Sequence, residues 1–325
     1  MRRREFITLV AGAAAWPLAA RAQQAGKVHR IGFLGSATAA GSAKAVESLR
    51  TGLREFGYVE GTNIDLEFRW AEGIYDRLPR LVAELIARNV DVLITHGTPG
   101  TRVAKQATTT IPIVMAISGD AIATGLASSL ARPEANLTGS TFFLAQLNAK
   151  RLELLKEACP HISRVAALSN PDNPVSRPII PAMQEAAAPL SLMVDVFRAQ
   201  SPNEFTLAFD GMPKSQVDSA VITEDGEFAS SFRAIATLAL ADNLPSIGAV
   251  EYAEAGGLIG YGVDILALYR RAAYFVDRIL KGATPADLPI EQPTKFELIV
   301  NLKTAKMLRL AMSETFLVRA DKVIE

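Results

Sequence analysis

The chain has 325 residues, 49% of them hydrophobic and 21% charged, with 34 basic side chains balanced by 34 acidic ones. Zero net charge leaves no electrostatic footprint for nucleic acid or for an anionic membrane surface, so neither is an expected partner. The length has room for two domains with separate cores, and the single cysteine, Cys159, has no partner for an internal disulfide and reads as packing.

The chain opens on Arg2-Arg3-Arg4-Glu5-Phe6-Ile7, a charged stretch resembling the twin-arginine export pattern. The apolar segment Ile7 to Ala20 is too short for a membrane anchor. It closes on Ala20-Arg21-Ala22, the small-residue arrangement that signal peptidase accepts. Residues 1–22 are therefore expected to be a cleaved signal peptide, leaving the mature protein free in a periplasm. No cysteine stands at the cleavage point to carry a lipid.

His29 to Gly35 reads as the first strand, with Ser36-Ala37-Thr38 as the loop after it. Val46, Leu49, Leu53 and Phe56 recur at helical spacing, and Gly57 ends that helix. Strand two, Ile64 to Trp70, alternates apolar and polar residues, and a helix follows over about 76–88. Val90 to Ile94 and Ile113 to Ile117 are short apolar runs rich in β-branched residues, the pattern of strands covered on both faces of a parallel sheet. The order β-α-β-α-β-α-β predicts a doubly wound parallel sheet.

After Gly139 the pattern restarts. Strands are expected at Arg164 to Ser169, Leu192 to Ala199 and Asp218 to Thr223, with a long helix over about 228–242 and a short strand after Pro245. Glu251 to Asp264 reads as glycine-rich connection, Ile265 to Lys281 as a helix and Phe296 to Leu302 as a strand. Two similar α/β lobes result, the first from 28–140 plus about 252–284, the second from 141–251 plus about 285–325. Hinges are expected near Gly139 and within Glu251 to Gly262.

Several chemistries find no support in the residues. The three histidines, His29, His96 and His161, belong to no metal-ligand spacing. No phosphate-cradling glycine loop and no nucleophile elbow occurs. Asp120 and Glu224 leave open a pair of carboxylates facing each other across a cleft. No cofactor is expected, and inward-facing polar loops on two lobes suit binding better than catalysis.

Long segments in order carry a resemblance: Arg54 to Gly61 (REFGYVEG), Glu67 to Gly73 (EFRWAEG), Ala107 to Val114 (ATTTIPIV), Ser129 to Pro133 (SLARP), Lys150 to Leu155 (KRLELL), Pro285 to Leu298 (PADLPIEQPTKFEL) and Arg319 to Glu325 (RADKVIE). From about Ile31 to the last residue the chain resembles the ABC-type substrate-binding proteins of the family that includes tryptophan- and tyrosine-binding lipoproteins. Leu308 to Ser313 departs from the glycine and proline usual in relatives, and the lipid-anchor cysteine of some members is absent. The resemblance implies the type I periplasmic binding fold, in which two lobes close on a small solute, an amino acid or an aromatic or carboxylic acid. It also implies a monomer that delivers this solute to an ABC transporter permease in the inner membrane. A ligand sensor for a membrane kinase and an enzyme on the same architecture are the competing readings.

In such sheets ligands bind beyond the C-terminal ends of the strands, which selects the candidates. Ser36 and Thr38 follow strand one, Thr98 follows the strand ending near residue 94, and Ser118 and Asp120 end the next. From the second lobe come Asn170, Thr223 and Glu224. The hydroxyls would take a carboxylate and Asp120 an amine, with helix capping as the competing role. Trp70 and Tyr252 are candidate stacking walls, with core packing as the alternative.

Overall fold

The computed structural model describes residues 27–325 apart from Glu134; residues 1–22, expected to be a signal peptide, lie outside them. The apolar runs become strands of a five-stranded sheet: β1 (His29–Gly35), β2 (Ile64–Trp70), β3 (Val92–His96), β4 (Ile113–Gly119) and β5 (Leu137–Phe142). Their order is β2-β1-β3-β4-β5, parallel throughout. Between them run α1 (Ala43–Glu55), α2 (Leu78–Ala87) and α3 (Gly97–Ala107), which cover the faces of the sheet.

The second half contributes α4 (Leu144–Ala158), β6 (Arg164–Ser169), α5 (Ser176–Ala187), β7 (Met193–Arg198), α6 (Pro202–Gly211), β8 (Ser219–Ile222), α7 (Gly226–Ala241) and β9 (Ser246–Gly248). It continues through α8 (Val250–Glu254), β10 (Ile259–Val263), α9 (Ile265–Leu280), β11 (Phe296–Asn301), α10 (Leu302–Met307), α11 (Glu314–Leu317) and β12 (Lys322–Ile324). The seven-stranded sheet has the order β12-β11-β10-β9-β8-β6-β7. β11 pairs antiparallel with β10 and parallel with β12, so these two edge strands run opposite to the other five. The fold is thus the α/β, two-sheet type I periplasmic binding architecture.

Two segments differ from the sequence reading. Glu251 to Gly262, read as connection in the first lobe and as a hinge, forms α8 and β10 inside the second sheet. Of the expected first-lobe residues 252–284, α9 does return to the first lobe, where it packs on α1: Ser48 Oγ donates to the Leu266 carbonyl at 2.7 Å, and Tyr58 Oη donates to Asp277 Oδ1 at 3.1 Å. Residues 285–291, read as second lobe, lie along the first instead, where the Glu291 amide donates to Gly139 O and the Ile290 amide to Leu130 O. Chain crossings therefore fall between β5 and α4, between β10 and α9, and between Glu291 and β11.

Gly139 is no hinge. It sits inside β5 at φ +123°, and a Cβ there would lie 2.2 Å from the Met115 carbonyl oxygen. Only glycine tolerates both the dihedral and that approach, so this point of the sheet is locked. Cys159 is buried as expected, and burial pushes its thiol up to about 11, which leaves it a neutral packing group.

Candidate functional site

The C-terminal edges of the two sheets face each other, and the loops that leave them touch. Tyr75, in a short 3-10 turn after β2, donates its hydroxyl to Asp225 Oδ2 at 2.6 Å. Thr38 Oγ1 stands 3.4 Å from Ser230 Oγ on α7. Glu227 reaches Gly73 so closely that a Cβ there would lie 2.2 Å from the carboxylate oxygen. That glycine, at φ +77°, therefore serves both a turn and a close approach.

Asp225 is the centre of this contact. It is the N-cap of α7, its Oδ1 accepting the Glu227 amide at 2.9 Å, while Oδ2 also accepts Asn173 Nδ2 at 2.9 Å. Burial raises its pKa; the hydrogen bonds from Tyr75, Asn173, the Glu227 amide and Asn170 pull the other way. Burial and the neighbouring Asp225 hold the Tyr75 hydroxyl well above its ordinary value, so it remains a donor.

In the first lobe the expected hydroxyls gather but are already engaged. Ser36 Oγ donates to the His96 carbonyl at 2.8 Å, and Thr98 Oγ1 lies 3.1 Å from Ser118 Oγ and accepts the Gly119 amide at 3.1 Å. All three are buried. Asp120 does what a cap does: its Oδ1 accepts the amides of Ile122 at 3.0 Å and Ala123 at 2.9 Å. His96 bonds the Tyr269 hydroxyl through Nδ1, and burial holds its pKa down to about 4, so it is neutral.

In the second lobe Asn170 Oδ1 accepts the Asp172 amide at 3.0 Å and Thr223 Oγ1 donates to the Leu168 carbonyl at 2.8 Å. Glu224 is different. Its Oε2 accepts Asn148 Nδ2 at 2.9 Å, and its Oε1 lies 2.5 Å from Arg151 Nη1. Arg151 comes from α4, is 1% exposed, and donates through Nε to the Tyr261 carbonyl at 2.9 Å. Asp120 and Glu224 are thus bound to separate partners, with nothing that joins them as a catalytic pair.

Of the two proposed aromatic walls, Tyr252 is turned into the core. Tyr252 is fully buried in the second lobe, its hydroxyl 2.7 Å from Ser246 Oγ and its ring edge-on to Phe232. Trp70 is half-buried against Phe33 and stacked on Phe68 at 6.0 Å. Sequence reasoning missed Tyr75, Asn148, Arg151, Asn173, Asp225 and Glu227. One signal was present: in α4 the face carrying Leu144, Leu147, Leu152 and Leu155 also carries Asn148 and Arg151, polar groups in an apolar stripe. Among the described residues no three or more His, Cys, Asp and Glu side chains are grouped to hold a metal ion, and no helix is long and apolar enough to cross a membrane.

The family model described as ABC transporter substrate binding protein matches residues 37–324. A tyrosine-binding protein of Clostridioides difficile is 24% identical over 266 residues, 82% of this chain and 76% of the relative. Among solved structures, a conserved domain protein of Vibrio cholerae is 23% identical, with a TM-score of 0.86 over 91% of this chain and 100% of the other. An ABC domain of Streptococcus pneumoniae in complex with L-Trp is 25% identical, with a TM-score of 0.84 over 91% of this chain and 99% of that one.

Proposed function

Since the chain belongs to the ABC transporter substrate-binding protein family, we propose that it is the periplasmic receptor of an importer, capturing a small organic solute between its lobes and presenting it to a permease. The solute class is an amino acid or a related aromatic or carboxylic acid. The tyrosine-binding relative and the L-Trp complex support that range. The protein acts by binding and not by catalysis, as do the family's members.

One observation carries the reading: side chains from opposite lobes meet, with Tyr75 donating to Asp225 at 2.6 Å, directly where both sheets end. A ligand enclosed there shifts the balance between separated and joined lobes by its extra contacts with the joined form. The loops carrying Ser36, Thr38, Thr98, Ser118, Asp120, Asn170, Thr223 and Glu224, at the C-terminal ends of the strands, are the proposed ligand contacts. Thermal shift of the mature protein against the common amino acids and aromatic acids should yield a stabilising ligand, with Tm rising as concentration passes Kd. Small-angle scattering should then show a smaller radius of gyration with that ligand. An unchanged radius with binding confirmed by calorimetry contradicts the closing cleft.

A further inference from the structure

Where the lobes join, two carboxylates are covered and neither meets a cation. Glu227, in the first turn of α7, is 8% exposed, and its Oε1 accepts Ser231 Oγ at 3.2 Å from the same helix. The first lobe lays Gly73 directly against the other oxygen, Oε2, yet gives it no donor, because the Gly73 amide is spent on the Ser36 carbonyl at 2.9 Å. Asp225, two residues earlier, is buried to the same extent. Between them Gly226 lies against the loop after β1, where an added Cβ would stand 3.5 Å from the Ala37 nitrogen.

Neither carboxylate has an ion pair among the described residues. The basic side chains of the adjoining segments are taken, Arg77 by Glu72 and Arg151 by Glu224. Asp76, in the turn after β2, and Asp172, in the loop after β6, add only negative charge. The helices packed on α7 are α6 and α8, which carry Glu204, Asp210, Glu251 and Glu254 and no basic residue; Arg233 lies exposed six residues further along α7. Covering a carboxylate without a donor or a cation disfavours its ionised form and leaves the neutral form nearly untouched. Burial, and then the neighbouring Asp225, raise the Glu227 pKa against the Ser231 bond. We propose that the seam between the lobes is a proton-sensitive latch, in which Glu227 takes up a proton as Gly73 closes over it, so that acid favours the joined lobes. The latch rests on the closing-cleft reading above and adds a regulator to it.

Asp225 is not the switch, because the first lobe both covers it and supplies a donor. Joining gives its carboxylate the Tyr75 hydroxyl at 2.6 Å, a bond that favours the ionised form, while burial favours the neutral one. Glu227 receives the burial alone. Its pKa is therefore higher in the joined form than in the separated one, and the stability this gives the joined form is full at low pH and lost as pH rises through the raised value. One proton sets the limit: the ratio of joined to separated molecules rises by at most about tenfold for each pH unit lost.

The test reads the distance between the lobes. Spin labels on cysteines replacing the exposed Ala83 of α2 and Ala234 of α7 report the joined and separated populations of the ligand-free mature protein from about pH 8 down to about pH 4.5, with circular dichroism confirming that the fold is kept. The joined fraction should rise as pH falls. Glu227→Gln, neutral at every pH, should hold that fraction high and flat across the range. A Glu227→Gln protein that still responds to pH overturns the proposal, as does an unaltered protein whose distances ignore pH. Adding the stabilising solute found by thermal shift separates the latch from the receptor reading. Lobes that join on that solute but ignore pH overturn the latch and leave the receptor standing, whereas lobes that respond to neither count against both.

Discussion

At the first lobe's edge of the cleft the buried polar groups are neutral: Ser36, Thr98 and Ser118 bond to one another's loops and to backbone. At the second lobe's edge ions join the neutral Asn170, Asn173 and Thr223, with Arg151 held against Glu224 and Asp225 capping α7. Both edges grow from the same strand-loop-helix unit. What distinguishes them is that the first satisfies its polar groups within itself, while the second leaves Arg151 Nη2 without a hydrogen bond and turns Asp225 outward to Tyr75. A self-satisfied edge makes a rigid platform; an edge with an unmet donor gains when a partner arrives.

The sharpest way to break this contrast is to remove one charge. Arg151→Met should leave the half-buried Glu224 without its cation and the Ile222 and Tyr261 carbonyls without a donor, costing about 3 to 5 kcal/mol. Ser36→Ala, which removes one neutral bond to the His96 carbonyl, should cost only about 1 kcal/mol. Urea unfolding with unchanged m-values measures both. Equal losses would erase the distinction between the edges.

A second probe is acidity behind the ionic edge. Burial raises the Glu251 carboxyl to about 7, with Glu254 and Asp264 adding to the rise and Arg151 opposing it. A carboxyl whose folded pKa lies above its unfolded one gives stability that is full below about 4.5 and is lost as pH rises through about 7. Over that window the loss should be about 1 to 3 kcal/mol. Glu251→Gln should flatten this part of the stability profile, and an unchanged slope would show that the group is well solvated.

Tyr75→Phe tests the seam itself. Loss of a hydroxyl that bonds a buried carboxylate should weaken the joined form by about 1.5 to 3 kcal/mol. The first lobe has little other use for that hydroxyl, so unfolding of the ligand-free protein should change less than ligand affinity. If affinity is untouched, the Tyr75 to Asp225 contact does not accompany binding.

Most of the first sheet was legible because strands such as Ile113–Gly119 are apolar and β-branched over their whole length. Strand β5 was not: Leu137-Thr138-Gly139-Ser140-Thr141-Phe142 has no apolar run, and it is buried through pairing with β4 and the Thr138 bond to the Leu288 carbonyl. Strand β10 hid behind its glycines, which here let strands and α8 approach. The hydroxyl loops were found from their position at strand ends. The ionic edge was largely invisible because its bonds join residues 76 and 150 apart in sequence, Asn148 to Glu224 and Tyr75 to Asp225. Tyr252 misled because an aromatic near a strand end looks the same whether it faces ligand or core.

Asp120 is the charged side chain among the first lobe's candidate residues, and it decides whether they are neutral in function as well as in bonding. Its Oδ1 accepts the Ile122 and Ala123 amides and so fixes the turn at 121–125. Asparagine presents the same oxygen to the same two amides. Asp120→Asn should therefore change stability by less than about 0.5 kcal/mol, since asparagine and aspartate cap about equally well. If Asp120 is only a cap, affinity for the bound solute should change by less than about threefold, because a partly exposed charge is screened. Were Asp120 the group that holds an amine, the same substitution would cost about 2 to 5 kcal/mol in binding with the fold intact. Calorimetry on Asp120→Asn thus assigns the carboxylate to the turn or to the ligand, because only the second role shows the large loss.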